Sequence, residues 1–135
     1  MERWPGVRAA RRAVAFADPR SESVGESVSR VRIHLDGLPR PELQYEIRGA
    51  FGQVIARVDF YWEEQRTVGE FDGRIKYGRR LLKPDQRVED VVYEEKRRED
   101  AVRGEGHGFA RWVWDDCWRP GVIRDRVLRA FDSGR

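Results

Sequence analysis

Residues 54–73, VIARVDFYWEEQRTVGEFDG, decide the fold. Apolar and polar residues alternate over 54–61, which predicts a half-buried strand, and residues 67–72 predict a second strand after a short polar turn. The segment 43–47 alternates in the same way and is separated from 54–61 by a glycine-containing turn. Three strands joined by short turns predict an antiparallel meander.

Segments with helical spacing flank the meander. Ser23 and Glu26 match the S-x-x-E capping box of a helix start, and Gly37 stands where the helix should end. The apolar residues of this helix that recur on one face are Val24, Val28, Val31 and Leu35. Downstream, the pattern predicts a charged helix over 88–103, a strand over 109–114 and a helix over 120–131. The order helix, three strands, helix, strand, helix predicts one α/β domain over residues 21–131.

Composition excludes several classes of protein. The chain has 135 residues, of which 39% are hydrophobic and 15 are aromatic, so it can bury a core and is not intrinsically disordered. No stretch approaches the roughly 20 apolar residues that a membrane helix needs. A signal peptide is not expected, because the arginine-rich residues 1–20 lack an apolar core. The single cysteine fits a reducing compartment, so we expect a cytoplasmic protein.

Charge is distributed unevenly although the net charge is only +3. Residues 1–20, a basic leader that either packs on the domain or links it to an upstream segment, carry five positive and two negative charges. Residues 74–87 carry six positive charges and one negative, whereas residues 88–100 carry six negative and three positive. A basic loop is typical of a surface that binds a polyanion, although a solvated arginine-rich surface has the same composition.

Other kinds of site find no support in the sequence. His34, His107 and Cys117 have no partners at the spacing of a zinc site or of a Cys–His nucleophile. The chain contains neither a P-loop nor a glycine-rich dinucleotide motif after a strand. Trp112 and Trp114 are expected in the core rather than stacked on bases, because strand aromatics usually pack.

Acidic residues fall at matching ends of the predicted strands. The relevant positions are Glu26 on the first helix, Gln44 on the first strand, Val58-Asp59-Phe60 on the second and Glu70-Phe71-Asp72-Gly73 on the third. With this order of elements, residues 21–131 resemble the PD-(D/E)XK nuclease superfamily, and more narrowly the very-short-patch-repair (Vsr-like) endonucleases. Similar domains form the C-terminal part of actinobacterial AbiEi-type antitoxin proteins.

The resemblance implies a restriction-endonuclease-like core and a metal-dependent DNA endonuclease. Asp59, Glu70 and the backbone carbonyl of Phe71 would then hold Mg²⁺ or Mn²⁺, which favour oxygen ligands and make a bound water nucleophilic. Asp72 shares a strand face with Glu70 and would assist. Glu26 and Gln44 are the further candidate catalytic residues.

Asp72 departs from the superfamily pattern, which has lysine at this position. Either Asp72 acts as ligand or base, or a lysine comes from elsewhere, with Lys76 and Lys96 as candidates. The residues predicted to contact DNA are Arg74, Lys76, Arg79, Arg80 and Lys83. The alternative hypothesis is a catalytically silent nucleic-acid-binding or toxin–antitoxin regulatory domain with the same fold.

Each candidate also has a structural interpretation. Glu26 could only cap its helix, Gln44 could face solvent, and Asp72 with Gly73 could form only a turn. Asp59 and Glu70 could be ordinary acids at strand ends. Lys96 and Arg98 could form a solvated ion-pair network with the acids of their own helix, which are Glu94, Glu95, Glu99 and Asp100.

Overall fold

The protein has a mixed α/β fold in a computed structural model that describes residues 22–73, 75–76, 79–80 and 85–134. The predicted leader, residues 1–20, lies outside the described residues. The helices are α1 (Glu22–Leu35), α2 (Val88–Gly104), α3 (Trp114–Cys117) and α4 (Val122–Ser133). The strands are β1 (Glu42–Arg48), β2 (Val54–Trp62), β3 (Thr67–Phe71), β4 (Ile75–Lys76), β5 (Arg79–Arg80) and β6 (Gly108–Trp112). No helix within the described ranges is long and apolar enough to cross a membrane.

Four strands form one sheet in the order β1-β2-β3-β6. The first three are antiparallel neighbours, which confirms the predicted meander, and β6 runs parallel to β3. The connection from β3 to β6 includes α2, as a parallel pair requires. The short strands β4 and β5 pair as a separate hairpin inside the segment 74–87, which was expected to be a loop.

Two apolar clusters cover the two faces of the sheet. On one face, side chains of α1, α3 and α4 pack around Phe60, Trp62 and Trp112. On the other face, Val102 of α2 packs with Val58 and other strand residues. The strand β3 lies between the clusters and is buried along its whole length. A polar side chain on β3 is therefore held in a low-dielectric environment.

The helix α1 approaches the sheet through Ile33 and small residues, and Val24 and Val28 of the predicted valine stripe pack partly buried against the same cluster. Gly25 is buried, and a Cβ atom there would overlap the Phe71 ring. Ser29 is fully buried, and its hydroxyl accepts a 2.8 Å hydrogen bond from Trp112 Nε1. Val31 is 39% exposed, so the prediction of one apolar face through Val31 was wrong. Small side chains at these positions let the helix axis lie close to the sheet.

The end of β6 was predicted two residues too late. Trp114 belongs to α3, because the Asp116 carboxylate accepts a 3.0 Å hydrogen bond from the Val113 N–H and starts a new helical turn. Arg126 of α4 holds the same carboxylate at 2.6 Å. Trp112 and Trp114 are both buried, which confirms their predicted place in the core.

Candidate active site

The candidate site begins where the pairing of β2 with β3 stops. The last pair in register is Phe60 with Gly69, although β2 itself extends back to Val54. At this point Asp59 Oδ2 accepts a hydrogen bond of 3.0 Å from the backbone N–H of Phe71. A side chain thus replaces the backbone acceptor that a continued ladder would supply, and a cavity of about 540 Å³ lies beside it.

The neighbouring strand β1 is irregular at the same level. Gln44 lies between Leu43 and Tyr45, whose partners in β2 are the residues on either side of Asp59. Gln44 has a φ of 49°, a left-handed conformation that non-glycine residues adopt at a cost. Its side chain donates a 2.7 Å hydrogen bond to Glu26 on α1. Gln44 therefore ties the first helix to the sheet beside Asp59.

Glu26, Asp59 and Glu70 form an acidic group around this break. Burial is the largest cause that raises the pKa of Asp59 from 3.8 to about 8; the charges of Glu70 and Glu26 and a hydrogen bond to Glu26 contribute to the rise, and the Phe71 N–H opposes it. Near neutral pH the Asp59 carboxyl therefore carries a proton that it shares with Glu26. The site holds more acidic groups than it can keep ionised without a nearby cation.

Glu70 is only 8% exposed and is neutralised by arginines. Arg98 of α2 donates two hydrogen bonds to it, at 2.5 Å and 2.6 Å, in a bidentate pair. The same guanidinium donates to the backbone carbonyl of Arg57 on β2 at 2.6 Å. Arg111, the residue opposite Glu70 in the parallel pair β3–β6, adds a longer contact of 3.6 Å.

The cavity brings four predicted residues together. Asp59, Glu70, Phe71 and Asp72 all line it. Asp72 is 5% exposed, and its backbone N–H donates to the Trp112 carbonyl at 2.8 Å. The remaining described lining residues are Ile55, Arg57, Glu94, Glu95, Arg97, Arg98 and Arg111. The described lining therefore mixes five acids with four arginines.

Glu26 does more than cap its helix. Ser23 lies inside α1, which begins at Glu22, and the Glu26 side chain contacts Gln44 and Asp59. Gln44 likewise contacts Glu26 rather than only solvent. The predicted capping box is therefore not the role of Glu26.

Lys96 was predicted, with Lys76, as a possible replacement for the missing lysine, and the structure places its side chain away from the cavity. Its side chain is 69% exposed, pairs with Asp100 at 3.1 Å one turn along α2, and does not line the cavity. Arg98, two residues later, points to the sheet and contacts Glu70 instead. A shift of two residues on a helix rotates a side chain by about 200°, which separates a solvated lysine from a site arginine.

The predicted DNA-contacting residues fall mostly beyond the described side chains. Arg74 and Lys83 lie outside the described residues. Lys76 lies in β4, and Arg79 and Arg80 form β5, but only the backbone of this hairpin is described. Their contact with DNA stays a prediction.

Sequence patterns could have identified Arg98 and Arg111, the two arginines that contact Glu70 and were not predicted as site residues. Arg98 lies seven residues after Val91 and four before Val102, the two buried residues of α2, so it shares their face. Arg111 alternates with Ala110 and Trp112 and faces the same side as Glu70 once β3 and β6 are parallel neighbours. The first signal was readable in advance, whereas the second required the strand order.

The donor atoms suit a hard divalent cation. Asp59, Glu70 and the Phe71 carbonyl would supply oxygen ligands, and a cation there would offset the charge that raises the pKa of Asp59. Within the described ranges, no group of three or more His, Cys, Asp and Glu side chains is arranged to hold a metal. A cation would thus need two carboxylates, a carbonyl and water.

Comparison with known proteins gives relatives without an assigned role. No protein-family model matches the chain. Two proteins of Mycobacterium tuberculosis, Uncharacterized protein MT2308 of strain CDC 1551 and Uncharacterized protein Rv2248 of strain H37Rv, are each 36% identical to it over 131 residues. The match covers 96% of this chain but 45% of each relative, so the chain spans about half the length of the curated relatives it matches. No solved structure matches the chain.

Proposed function

We propose that this domain is a restriction-endonuclease-like nuclease that hydrolyses DNA phosphodiester bonds with Mg²⁺ or Mn²⁺. The observation that carries the proposal is the acidic group at the break between β2 and β3. Asp59 lies there between Glu26 and Glu70 with a raised pKa, beside a cavity lined by four arginines. Carboxylates that hold a cation and guanidinium groups that bind phosphate are the two requirements of such a reaction.

Asp59, Glu70 and the Phe71 carbonyl would hold the metal, and Asp72 would contact its bound water. The bound metal would supply a water of lowered pKa and offset charge on the phosphate. Among the chain's own residues, the Phe71 N–H fixes the orientation of the Asp59 carboxyl. Gln44 fixes Glu26, which accepts a hydrogen bond from the protonated Asp59 carboxyl. Arg57, Arg97 and Arg111 line the cavity and would bind the phosphate oxygens, Arg97 and Arg111 in exchange for their ion pairs with glutamates.

DNA is the proposed partner and the cytoplasm the proposed location. Basic residues follow the acidic motif directly in the chain, so a bound backbone would pass over the cavity. Neutralising phosphates with arginine and lysine releases counterions, which favours binding of the polyanion.

One observation favours the catalytically silent alternative. Arg98 already engages both oxygens of Glu70, so the acid is neutralised without any metal. A domain of this kind would keep the arginine-lined cavity for nucleic acid or for a regulatory partner and would not cleave.

Incubation with nucleic acid tests the proposal. Purified protein should nick or linearise supercoiled plasmid, or degrade single-stranded DNA, with Mg²⁺ or Mn²⁺ and not in EDTA. Asp59→Asn and Glu70→Gln should lower the rate at least a hundredfold, whereas Lys96→Gln, outside the cavity, should leave it unchanged. If wild-type protein cleaves neither substrate with either metal, the nuclease is refuted and the silent domain takes its place.

A further inference from the structure

Arg98 reaches the centre of the proposed site from α2, which packs on the face of the sheet opposite to α1. It lies on α2, yet its guanidinium bridges Glu70 on β3 and the Arg57 carbonyl on β2. Arg98 therefore closes the gap at which the two strands stop pairing. Its side chain is 32% exposed, whereas that of Glu70 is 11% exposed, so the arginine faces solvent and the acid does not.

This ion pair differs from two others on the same helix. Lys96 with Asp100 and Arg97 with Glu94 join side chains that are all more than half exposed. Such surface pairs contribute little, because water screens both charges. The pair of Arg98 with Glu70 is bidentate, and its acid is buried, so removing the arginine would leave Glu70 with the Arg111 contact at 3.6 Å.

The two oxygens that Arg98 engages are the ones that a metal would need. A guanidinium and a divalent cation, both positive, would compete for the same carboxylate. We propose that Arg98 occupies Glu70 in place of the cation, and that metal binding displaces it toward the phosphate of bound DNA. This inference rests on the proposed function and adds a positioning role for Arg98 that depends on the metal.

Competition of this kind couples the metal to DNA. The displaced guanidinium loses two hydrogen bonds to Glu70 and must find another anion in the cavity. Glu94 and Glu95 also line the cavity. A DNA phosphate can form a bidentate pair with the guanidinium, and it is present only when the substrate is bound. The affinity for the metal should therefore be low without DNA and higher with it. The affinity for DNA should increase on metal binding by the same factor.

Titration with Mn²⁺ alone, by calorimetry, tests the displacement. Arg98→Gln removes the competing charge and should lower the Kd for Mn²⁺ about tenfold relative to wild type. Lys96→Gln changes the same charge on the same helix, outside the cavity, and should leave the Kd unchanged. Arg98→Lys should give an intermediate Kd, because an ammonium cannot hold both oxygens in the fork geometry.

The outcomes separate this inference from the proposed function. If wild type binds Mn²⁺ and Arg98→Gln binds it equally or more weakly, Arg98 is only a structural clamp and the inference is wrong, while the metal site stands. If wild type and all variants fail to bind Mn²⁺, both are wrong. Circular dichroism checks that Arg98→Gln is folded; if it is not, Arg98→Lys decides, and a Kd equal to that of wild type overturns the inference.

A second titration tests the role toward phosphate. A short duplex with phosphorothioate linkages, which resist cleavage, is titrated in EDTA and in saturating Mn²⁺. Mn²⁺ should tighten binding to wild type at least tenfold, and Arg98→Gln should lose most of that gain. An equal gain in the two proteins would overturn the transfer of Arg98 to the phosphate.

Discussion

Replacing Asp59 by asparagine should stabilise the protein at alkaline pH in the absence of metal. Asparagine can accept the Phe71 N–H hydrogen bond through its oxygen and donate to Glu26 through its amide. It therefore reproduces the protonated form of Asp59 and cannot ionise. The substitution tests whether the acidic group at the break between β2 and β3 carries the excess charge that the raised pKa of Asp59 indicates.

The sign of this stability change follows from the pKa of Asp59 in the folded and unfolded states. The pKa of Asp59 rises from 3.8 to about 8 on folding, so the folded state holds the proton more tightly than the unfolded state. Below about pH 4 both states are protonated and the effect vanishes. Between pH 4 and 8 the unfolded state loses its proton first, so the free energy of unfolding falls as pH rises.

The difference in the free energy of unfolding between the variant and wild type has an upper limit of about 6 kcal/mol, at 1.36 kcal/mol per pKa unit. Asp59 is only half-buried, and water screens its charge, so about 2 kcal/mol is the expected difference. For a chain of this size that free energy corresponds to a Tm difference of about 6 °C.

Thermal melts of wild type and Asp59→Asn from pH 3 to 8.5, in EDTA, measure this difference. The two proteins should melt together at the acid end and diverge as pH rises, with the variant the more stable. Asp132→Asn, an exposed position on α4, serves as the control for loss of one charge. A variant that melts below wild type at pH 8 would show that Asp59 is stabilised by its surroundings as an anion, and a constant gap across the range would show that its pKa is not raised on folding.

Three further perturbations have defined outcomes. Mn²⁺ at a hundred times its Kd should add about 2.7 kcal/mol to the stability of wild type by linkage, and Asp59→Ala should lose most of this gain in melting curves. Gly25→Ala should lower the free energy of unfolding in urea by about 1–3 kcal/mol because the new methyl overlaps the ring beneath it, although alanine is the better helix former; Gly104→Ala, where a Cβ meets no atom within 4 Å, should not lower it. Changing Arg79 and Arg80 together to alanine should reduce the slope of log affinity for duplex DNA against log salt by about two, and an unchanged slope would remove the β4–β5 hairpin from the DNA-binding surface.

Alternation along the chain was enough to predict the strands of the meander. The pattern of 54–61 predicts β2 to within one residue, because Ala56, Val58 and Phe60 alternate with less buried residues until the strand becomes buried on both faces at Tyr61 and Trp62. The helix α2 was also predicted to within one residue, from 88–103 against Val88–Gly104. The boundaries that were wrong depend on contacts between distant residues, such as Asp116 with Arg126, which no local pattern contains.

The candidate site was only half predictable for the same reason. Asp59 lies within β2 and Glu70 near the end of β3, and their proximity follows from the meander. The lysine that the resemblance requires was sought at Lys76 and Lys96. Arg98 instead shares its helix face with the core residue Val102, so burial of that face carries it to Glu70. Which basic residue reaches an acid is decided by the direction in which its helix packs.

Cys117 offers a reporter of how the helical layer opens. It is 1% exposed, contacts the Ser29 hydroxyl, and is the single cysteine of the chain. Burial raises the pKa of its thiol to about 12, so the thiolate that reacts with alkylating or disulfide reagents is scarce in the folded protein. Labelling then requires α1 to separate from α3, and its rate measures the population of that opened state. Because one thiol gives one signal, the mobility of this layer can be followed without adding a probe.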